Sequence, residues 1–214
     1  MRLSGFLIRC RNRLLERGYL YNLLQCTVGS TNARRYFVEH FARLPDAARV
    51  LDVGCGPGTL IPFLPRHIAR YVGFDPNPRY IELARNRFAS ASHSFFEAKC
   101  SNAGDRLAEE GYRFDAILAA GVLHHLDDRE VRDLLDLAAT YCEPGGFFAS
   151  VDNAIIPQEN PIAAALIRVD RGEHIRSPVE YETFLRAKFS SIKSEVRRDL
   201  LRVPYTLVFF RATP

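Results

Sequence analysis

The feature that most constrains the fold is an apolar run that ends abruptly in glycines. Residues 48–56 read ARVLDVGCG, and Pro57 and Gly58 extend the glycine turn. A continuous apolar run bounded by turn residues is typical of a β-strand buried on both faces. Glycines at its end permit a tight turn and let a ligand approach bare backbone, with the amides of the next helix pointing at it. The pattern therefore predicts a buried strand that leads into a ligand-binding loop.

An acid at the end of the next apolar run indicates the kind of ligand. Asp75 closes the run RYVGFD and lies 21 residues after Gly54. In a doubly wound fold, an acid at this distance is placed to accept hydrogen bonds from ribose hydroxyl groups. The order strand, glycines, helix, strand, acid is much more specific than a glycine motif alone, and it predicts a nucleoside site.

The rest of the chain continues the alternation of strands and helices. After the first strand we expect strands at RYVGFD, SHSFFEAK, YRFDAILAAG and PGGFFASVDN, with helices at PNPRYIELARNRFA and DDREVRDLLDLAATYC. TLIPFLPRHI is expected to form a short helix that Pro62 and Pro65 limit to its early turns, and GDRLAEEG at most a short helix. A capping box at Ser177 starts a further helix, and SSIKSEVRRDL and RVPYTLVFFRA then form two strands joined directly. We predict an α/β, doubly wound, Rossmann-like sheet of seven strands, mostly parallel with an antiparallel last strand and helices on both faces.

The length of 214 residues predicts a single domain with one substantial core. Residues 1–45 are expected to form an N-terminal helical cap, with helices at about 5–25 and 31–44. Residues 46–153 are expected to form the cofactor-binding core. Residues 154–214 would supply a lid segment, a helix and the terminal antiparallel strands.

Composition and charge bear on where the protein works. No apolar run approaches the roughly 20 residues that cross a bilayer, and the N-terminus lacks a signal-peptide core. The five cysteines show no CxxC spacing, which disfavours a disulfide framework or a zinc site and suits a reducing cytoplasm. Residues 1–35 carry seven arginines against one acid, a net charge of +6. This segment could meet an acidic substrate, an anionic membrane surface or RNA, or it could be a solvated helix face.

Three details of the glycine loop separate a dinucleotide from other adenosine ligands. The glycine spacing is GxGxG and not GxGxxG, Asp52 precedes the first glycine, and Pro57 stiffens the loop. An inward-facing carboxylate repels a pyrophosphate but attracts a ligand that carries an ammonium and a sulfonium group. The loop therefore favours a sulfonium nucleoside over a nicotinamide dinucleotide.

The stretches VLDVGCGPGTL and VGFDPNPRYIELAR together closely resemble the class I S-adenosylmethionine-dependent methyltransferases. FDAILAAGVLHHL and CEPGGFFASVDN resemble later strand motifs of the same family. The resemblance covers about residues 49–153 and is strongest to the small-molecule branch, which includes ubiquinone and menaquinone C-methyltransferases and many natural-product enzymes. It implies S-adenosyl-L-methionine as the cofactor and S-adenosyl-L-homocysteine as the product.

The resemblance also implies roles for individual residues around the cofactor. These are Asp52 for the amino group of the methionine part, Gly54, Cys55, Gly56 and Gly58 in the loop around it, Asp75 for the ribose, Pro76 and Tyr80 near the adenine, and Ala119 and Ala120 along the methionine chain. One position departs from the family pattern, because members commonly carry an aspartate after the third strand to receive the adenine amino group. Here AKCSNAGD stands instead, so Ser101 or Asn102 must substitute, or Asp105 does so from a longer loop.

Two adjacent histidines follow the fourth strand, whose carboxyl end opens toward the cofactor's methyl group. His124 and His125 are the candidate catalytic residues, because a base helps remove the proton of a hydroxyl or acidic carbon acceptor. The alternative is a partly structural role, since the His-His-Leu stretch is frequent in the resembling enzymes whatever their substrate. Neighbouring side chains point in different directions, so we expect one histidine to face the acceptor while the other packs or caps the next helix. This geometry and the lack of nearby ligand residues predict no metal site.

Several residues are candidates for contact with the acceptor. They are Tyr19, Tyr21 and Tyr36 in the N-terminal helices, Asp152 and Asn153 at the end of the fifth strand, and Arg168, Arg171, His174 and Arg176 in the segment after it. Arginines in that segment would suit an acceptor with a carboxylate or phosphate, although the segment could equally be a solvated loop. The Asn/Asp-Pro-Pro-aromatic motif of nucleic-acid methyltransferases and the paired glutamates of protein arginine methyltransferases are missing, which disfavours those substrates.

The sequence thus predicts a cytoplasmic methyltransferase that acts on a small molecule at oxygen or carbon. One alternative is a nicotinamide-dependent oxidoreductase with the same layout, and the loop spacing and Asp52 disfavour it. Another is a non-catalytic module that binds S-adenosylmethionine, since the motifs indicate binding more than turnover. The acceptor and the oligomeric state have no signal in the sequence.

Overall fold

Seven strands form a single sheet in the computed structural model, which describes residues 30–111, 113–157, 174–202 and 205–214. The strands are β1 (Arg49–Val53), β2 (Arg70–Asp75), β3 (His93–Glu97), β4 (Phe114–Ala120), β5 (Cys142–Asn153), β6 (Ser191–Arg197) and β7 (Leu207–Thr213). Their order is β3-β2-β1-β4-β5-β7-β6. Strands β1 to β5 pair in parallel, and β7 runs antiparallel to both β5 and β6. The predicted fold class is confirmed.

Helices pack on both faces of this sheet. They are α1 (Ser30–Phe37), α2 (Pro78–Phe88), α3 (Gly104–Ala108), α4 (Asp128–Tyr141) and α5 (Pro178–Arg186). Helix α5 begins with the predicted capping box, because Ser177 Oγ accepts the N–H of Glu180 while the Glu180 carboxylate accepts the N–H of Ser177. Within the described ranges, no helix has the length and apolarity needed to span a membrane.

Successive residues of the central strands pack into different cores, as expected for strands covered on both faces. In β1, Val50 belongs to the core under α1, which contains the fully buried Phe37 and Phe41. The next residue, Leu51, belongs to the opposite core, where α4 contributes Leu134. Both faces of the central strands are therefore covered, and access to these strands is left at their ends.

Three local predictions need correction. The segment TLIPFLPRHI was expected to form a short helix that Pro62 and Pro65 limit to its early turns. It forms a 3₁₀ turn at Ile61–Phe63 and not an α-helical turn, because the prolines remove backbone donors that a helix needs. The helix expected at 31–44 ends as α1 at Phe37 and continues as a π-helical turn, Val38–Ala42. Strands β6 and β7 are not joined directly, since residues 198–206 separate them. The helix expected at about 5–25 lies outside the described residues.

Candidate active site

The carboxyl ends of β1, β2, β4 and β5 meet at one edge of the sheet, because these strands run in parallel. The loop after β1 carries the glycines, β2 ends at Asp75, and β4 leads into the histidines. Strand β5 ends at Asp152 and Asn153. The topology thus brings together four groups of residues that lie up to 100 residues apart in sequence. Such an edge is where ligands bind in open α/β sheets.

The glycines of the loop differ in what surrounds them. Gly54 and Gly56 have φ values of +65° and +53°, which favour glycine. A Cβ atom on Gly54 would lie 2.7 Å from Val122 Cγ2, and one on Gly58 would lie 2.7 Å from a ring carbon of Phe88. A Cβ atom on Gly56 would meet no atom within 4 Å. Gly54 and Gly58 are therefore needed for packing, whereas Gly56 borders open space in which a ligand can approach bare backbone.

Cys55 contributes its backbone and not its thiol to this loop. Its side chain is buried against β2, where a Cβ atom on Gly73 would lie only 2.9 Å from Cys55 Sγ. Its backbone N–H donates to the carbonyl oxygen of Phe74 at 3.0 Å. Burial raises the pKa of the Cys55 thiol well above its ordinary value. The thiol is thus an apolar packing group that holds the loop on β2.

Asp75 links the end of β2 to the glycine loop. Its Oδ2 accepts the N–H of Gly56 at 3.0 Å, and its Oδ1 accepts the N–H of Asn77 at 2.8 Å. Burial raises the pKa of this carboxyl, against the effect of the two backbone hydrogen bonds. A carboxylate has about four acceptor positions, so Asp75 retains capacity for two ribose hydroxyls.

Asp52 is the most deeply buried acid of the loop, with 2% of its surface exposed. The hydroxyl of Tyr71 donates to Asp52 Oδ2 at 2.5 Å. Burial, followed by repulsion from Asp75, raises the pKa of Asp52 to about 7, while the Tyr71 bond and the charge of Arg34 oppose the rise. A buried carboxylate gains strongly from a cation brought beside it. Asp52 is therefore suited to an ammonium group, as the resemblance implied.

The residues expected near the adenine lie beside α2 and the 3₁₀ turn Cys100–Asn102. Pro76 is exposed and Tyr80 is half-buried. Asn102 Oδ1 accepts the N–H of Lys99 at 2.8 Å and closes that turn. Ser101 is exposed beside it, and Asp105 is exposed in the first turn of α3. Which of these residues receives the adenine amino group stays a prediction.

The two alanines at the end of β4 face different sides of the sheet. Ala119 is fully buried in the core under α4, and Ala120 packs at the margin of the core under α1. The N–H of Gly121 then donates to the carbonyl oxygen of Val151 at 2.7 Å and closes the strand. Only Ala120, of the two, presents a side chain outside the dry interior.

The two histidines lie on a 3₁₀ turn, Leu123–His125, here called the histidine turn, and they have different environments. His124 is buried, and its Nδ1 lies 2.9 Å from Asp152 Oδ1, which also accepts the backbone N–H of His124 at 3.2 Å. His125 is exposed, with its ring centroid 4.1 Å from that of His124. The expectation that the two rings point in different directions is wrong, because the rings lie against each other. They differ in burial, and His124 is the buried one that contacts Asp152.

Asp152 is almost fully buried, at 2% exposed. Burial raises the pKa of its carboxyl, against the hydrogen bonds from His124. Because Oδ1 already accepts a backbone N–H, it also acts as the acceptor toward Nδ1, which places the ring proton on Nδ1. Asp152, predicted to touch the acceptor, thus contacts His124 instead. Its neighbour Asn153 accepts the hydroxyl of Tyr181 through its backbone oxygen at 3.1 Å.

The segment after β5 requires one correction. Arg176 was expected either to face an anionic acceptor or to lie in a solvated loop, and it does neither. The residue is 8% exposed, and its guanidinium bonds to Asp128 and to backbone carbonyls. His174 donates its backbone N–H to the carbonyl oxygen of His124 at 3.1 Å. Other acceptor candidates, namely Tyr19, Tyr21, Arg168 and Arg171, lie outside the described residues. Tyr36 donates its hydroxyl to Glu195 at 2.7 Å, on the side of α1.

Sequence reasoning missed two residues that shape this site, and it missed the role of a third. Tyr71 bonds to Asp52, Val122 packs on Gly54, and Arg176 holds the histidine turn. Strand alternation offered a signal for Tyr71. Tyr71 and Gly73 lie on the same face of β2, and Gly73 is paired with Asp52 of β1 in the parallel register. The other two contacts join residues 68 and 53 positions apart (122 minus 54, 176 minus 123) and have no local signal. No group of three or more His, Cys, Asp or Glu residues able to hold a metal occurs in the described part of the chain.

Comparisons with known proteins agree with this geometry. Residues 51–148 match a family described as "Methyltransferase domain". The ubiquinone biosynthesis O-methyltransferase of Rhizobium rhizogenes is 33% identical over 164 residues, which are 72% of this chain and 62% of that protein. The chain thus spans less than two thirds of the length of that relative.

Solved structures show the same fold. A TehB-like SAM-dependent methyltransferase from Corynebacterium glutamicum has a TM-score of 0.64 at 16% identity, covering 94% of this chain and 100% of that one. The N-methyltransferase NodS from Bradyrhizobium japonicum, in complex with S-adenosyl-L-homocysteine, has a TM-score of 0.60 at 19% identity, covering 87% and 86% of the two chains.

Proposed function

Because this chain belongs to the class I S-adenosylmethionine-dependent methyltransferases, we propose that it transfers a methyl group from S-adenosylmethionine to a hydroxyl oxygen of a small molecule. The observation that carries the proposal is the buried pair of His124 and Asp152 at the carboxyl edge of the sheet. Relatives named O-methyltransferases support oxygen as the accepting atom.

The residues at the edge fit the cofactor. The open space at Gly56 admits a ligand against the loop backbone, and Asp52 offers a buried carboxylate to the ammonium group. Asp75 has acceptor capacity for the ribose hydroxyls. When bound, S-adenosylmethionine supplies a methyl group already activated by its sulfonium. The protein's own task is then to align the acceptor, exclude water and manage one proton.

His124 is the residue suited to manage that proton. Asp152 holds the proton of the neutral ring on Nδ1, so Nε2 is the nitrogen with a lone pair. Nε2 can then accept the hydroxyl proton of an acceptor, and Asp152 stabilises the imidazolium that forms. A hydroxyl is a poor nucleophile while it keeps its proton, so removal of the proton raises its reactivity. An acidic carbon acceptor would need the same base. The base alone therefore does not distinguish oxygen from carbon as the accepting atom, and turnover with different acceptors tests this directly.

The setting proposed for this reaction is the cytoplasm. The described cysteines Cys55, Cys100 and Cys142 are all free thiols, which supports a reducing compartment. A small-molecule acceptor is proposed, and the arginine-rich segment at residues 1–35 remains a candidate for contact with an anionic membrane surface.

The test combines binding and turnover. Calorimetric titration with S-adenosylhomocysteine should show binding, and radiolabelled S-adenosylmethionine should methylate members of a panel of phenols, catechols and aliphatic alcohols. His124→Gln should lower turnover by about 100-fold or more while keeping affinity for S-adenosylhomocysteine. His125→Gln is the informative comparison, because loss of turnover in that variant instead would show that the wrong histidine has been assigned.

The two alternatives give other results in the same experiments. Binding of NADH without binding of S-adenosylhomocysteine would identify a nicotinamide-dependent oxidoreductase. Binding of S-adenosylhomocysteine without methyl transfer to any compound of a broad panel would favour a non-catalytic module. Full activity of His124→Gln toward hydroxyl acceptors would refute the role of the His124–Asp152 pair.

A further inference from the structure

The arginine that follows the lid segment makes an unusual set of contacts. Arg176 is 8% exposed, and every one of its five side-chain N–H groups has an acceptor within the protein. Nε donates to Asp128 Oδ1 at 3.2 Å, and Nη2 donates to the same oxygen at 2.7 Å. The remaining hydrogen bonds go to backbone carbonyl oxygens. Nη1 donates to those of Leu123 and His174, and Nη2 donates to that of Leu126.

These carbonyls surround the proposed base. The carbonyl of Leu123 lies immediately before His124, and that of Leu126 lies two residues after it. A third carbonyl, that of His124 itself, accepts the backbone N–H of His174. The Leu123 carbonyl oxygen also accepts the N–H of Leu126 at 3.2 Å, so Arg176 adds a second, charged donor to it. A positive charge is favourable beside the carbonyls at the end of a helical turn. The segment 174–176 therefore supplies hydrogen bonds on both sides of His124.

The same arginine is also fixed to the strand that carries Asp152. The guanidinium carbon lies 5.3 Å from the centroid of the Phe184 ring and 5.9 Å from that of Tyr181. The Tyr181 hydroxyl accepts the N–H of Arg176 at 3.3 Å and donates to the carbonyl oxygen of Asn153, next to Asp152. One connected network thus sets the position of the histidine turn relative to the end of β5.

We propose that Arg176 is a positioning residue that holds His124 in register with Asp152. This inference rests on the proposed function, since it concerns the proposed base. The planar guanidinium has five N–H donors. It can therefore bond two carbonyls of the histidine turn and the Asp128 carboxylate at once, while it packs on the rings of Tyr181 and Phe184. A lysine ammonium has three donors and no plane, so it cannot replace the arginine here.

The experiment measures the His124 ring and backbone without any acceptor. ¹⁵N NMR of the whole protein, with the His124 signals assigned by their loss in His124→Gln, should show one tautomer with the proton on Nδ1. In Arg176→Lys and Arg176→Gln, the ring signals should move toward the average of both tautomers. The backbone N–H of His124 should also exchange with solvent about fivefold faster or more, because its bond to Asp152 is weakened.

The matched control is Arg132→Lys. Arg132 is an exposed arginine that also lies over the Phe184 ring, at 5.4 Å from its centroid, and it belongs to α4. Its replacement should leave the His124 signals unchanged. In turnover assays the Arg176 variants should lose kcat and keep their affinity for S-adenosylhomocysteine.

Two outcomes would overturn the proposal. One is a wild-type tautomer and wild-type exchange of the His124 N–H in both Arg176 variants. The other is global unfolding of Arg176→Lys, which would make Arg176 a general stabilising residue. Neither outcome touches the role of His124 itself, which is decided by the turnover of His124→Gln.

Discussion

Replacement of Asp52 by asparagine should stabilise the protein above neutral pH and weaken its binding of the cofactor. The carboxyl of Asp52 is 2% exposed, and the Tyr71 hydroxyl is the hydrogen-bond donor directed at it from β2. Burial raises its pKa from the ordinary 3.8 to about 7. The folded protein therefore holds a proton on this group in a pH range where the unfolded chain has released it.

The size of the effect follows from that difference. A pKa raised from 3.8 to about 7 corresponds to about 4 kcal/mol, at about 1.4 kcal/mol per pH unit. Below about pH 4 the carboxyl of Asp52 is neutral in both states and costs no stability through ionisation. As the pH rises to about 7, the unfolded state is favoured progressively, and above about 7 the cost is constant. The amide oxygen of an asparagine accepts the Tyr71 bond and never ionises, so the variant avoids this cost.

Urea unfolding at a series of pH values measures the difference directly. The free energy of unfolding of Asp52→Asn minus that of the wild type should grow by about 2 kcal/mol between about pH 5.5 and 7 and then level off. Glu82→Gln is the control, because Glu82 is an exposed acid of α2, and its difference should stay flat. A constant difference for Asp52→Asn over the whole range would refute the buried, proton-binding carboxyl. Calorimetry should show weaker binding of S-adenosylhomocysteine to Asp52→Asn at pH 8.

Two further changes test the glycine loop and the start of α4. Gly56→Ala should cost about 1–2 kcal/mol of stability because of its left-handed backbone, and it should abolish measurable binding of S-adenosylhomocysteine. Gly54→Ala should cost clearly more in urea unfolding, because its Cβ atom would collide with Val122. Equal stability of the two variants would contradict the packing described. Asp127→Ala should lower the urea midpoint of unfolding, because Asp127 Oδ1 accepts the N–H groups of Arg129 and Glu130. An unchanged urea midpoint would show that this cap contributes nothing.

The parts of the fold that could be predicted are those set by local pattern. The apolar run through Val50 and Leu51 predicts a strand covered on both faces, and each residue does belong to a separate core. Pro62 and Pro65 were expected to limit the helix after the glycine loop to its early turns, and the segment does form only a 3₁₀ turn, Ile61–Phe63. The glycine loop and its acids could be placed because their spacing is tied to the strand ends.

The roles of side chains depended on contacts that no local pattern contains. His124 and His125 are equivalent in sequence, and only the position of β5 decides that Asp152 meets the first of them. Arg176 resembled a free arginine of a loop, since nothing near it in sequence shows that the carbonyls of a turn about 50 residues earlier need its donors. Side-chain roles of this kind require the packed structure.

The packing of Cys55 against Gly73 makes this thiol a probe of the motion of the glycine loop. The thiol is 3% exposed beneath the glycine loop, so an alkylating reagent reaches it only when the loop lifts from β2. Mass spectrometry distinguishes this cysteine from the other four by its peptide. The rate of its alkylation then measures how often the loop opens. A ligand bound against the backbone of Gly56 should slow that rate in proportion to its occupancy.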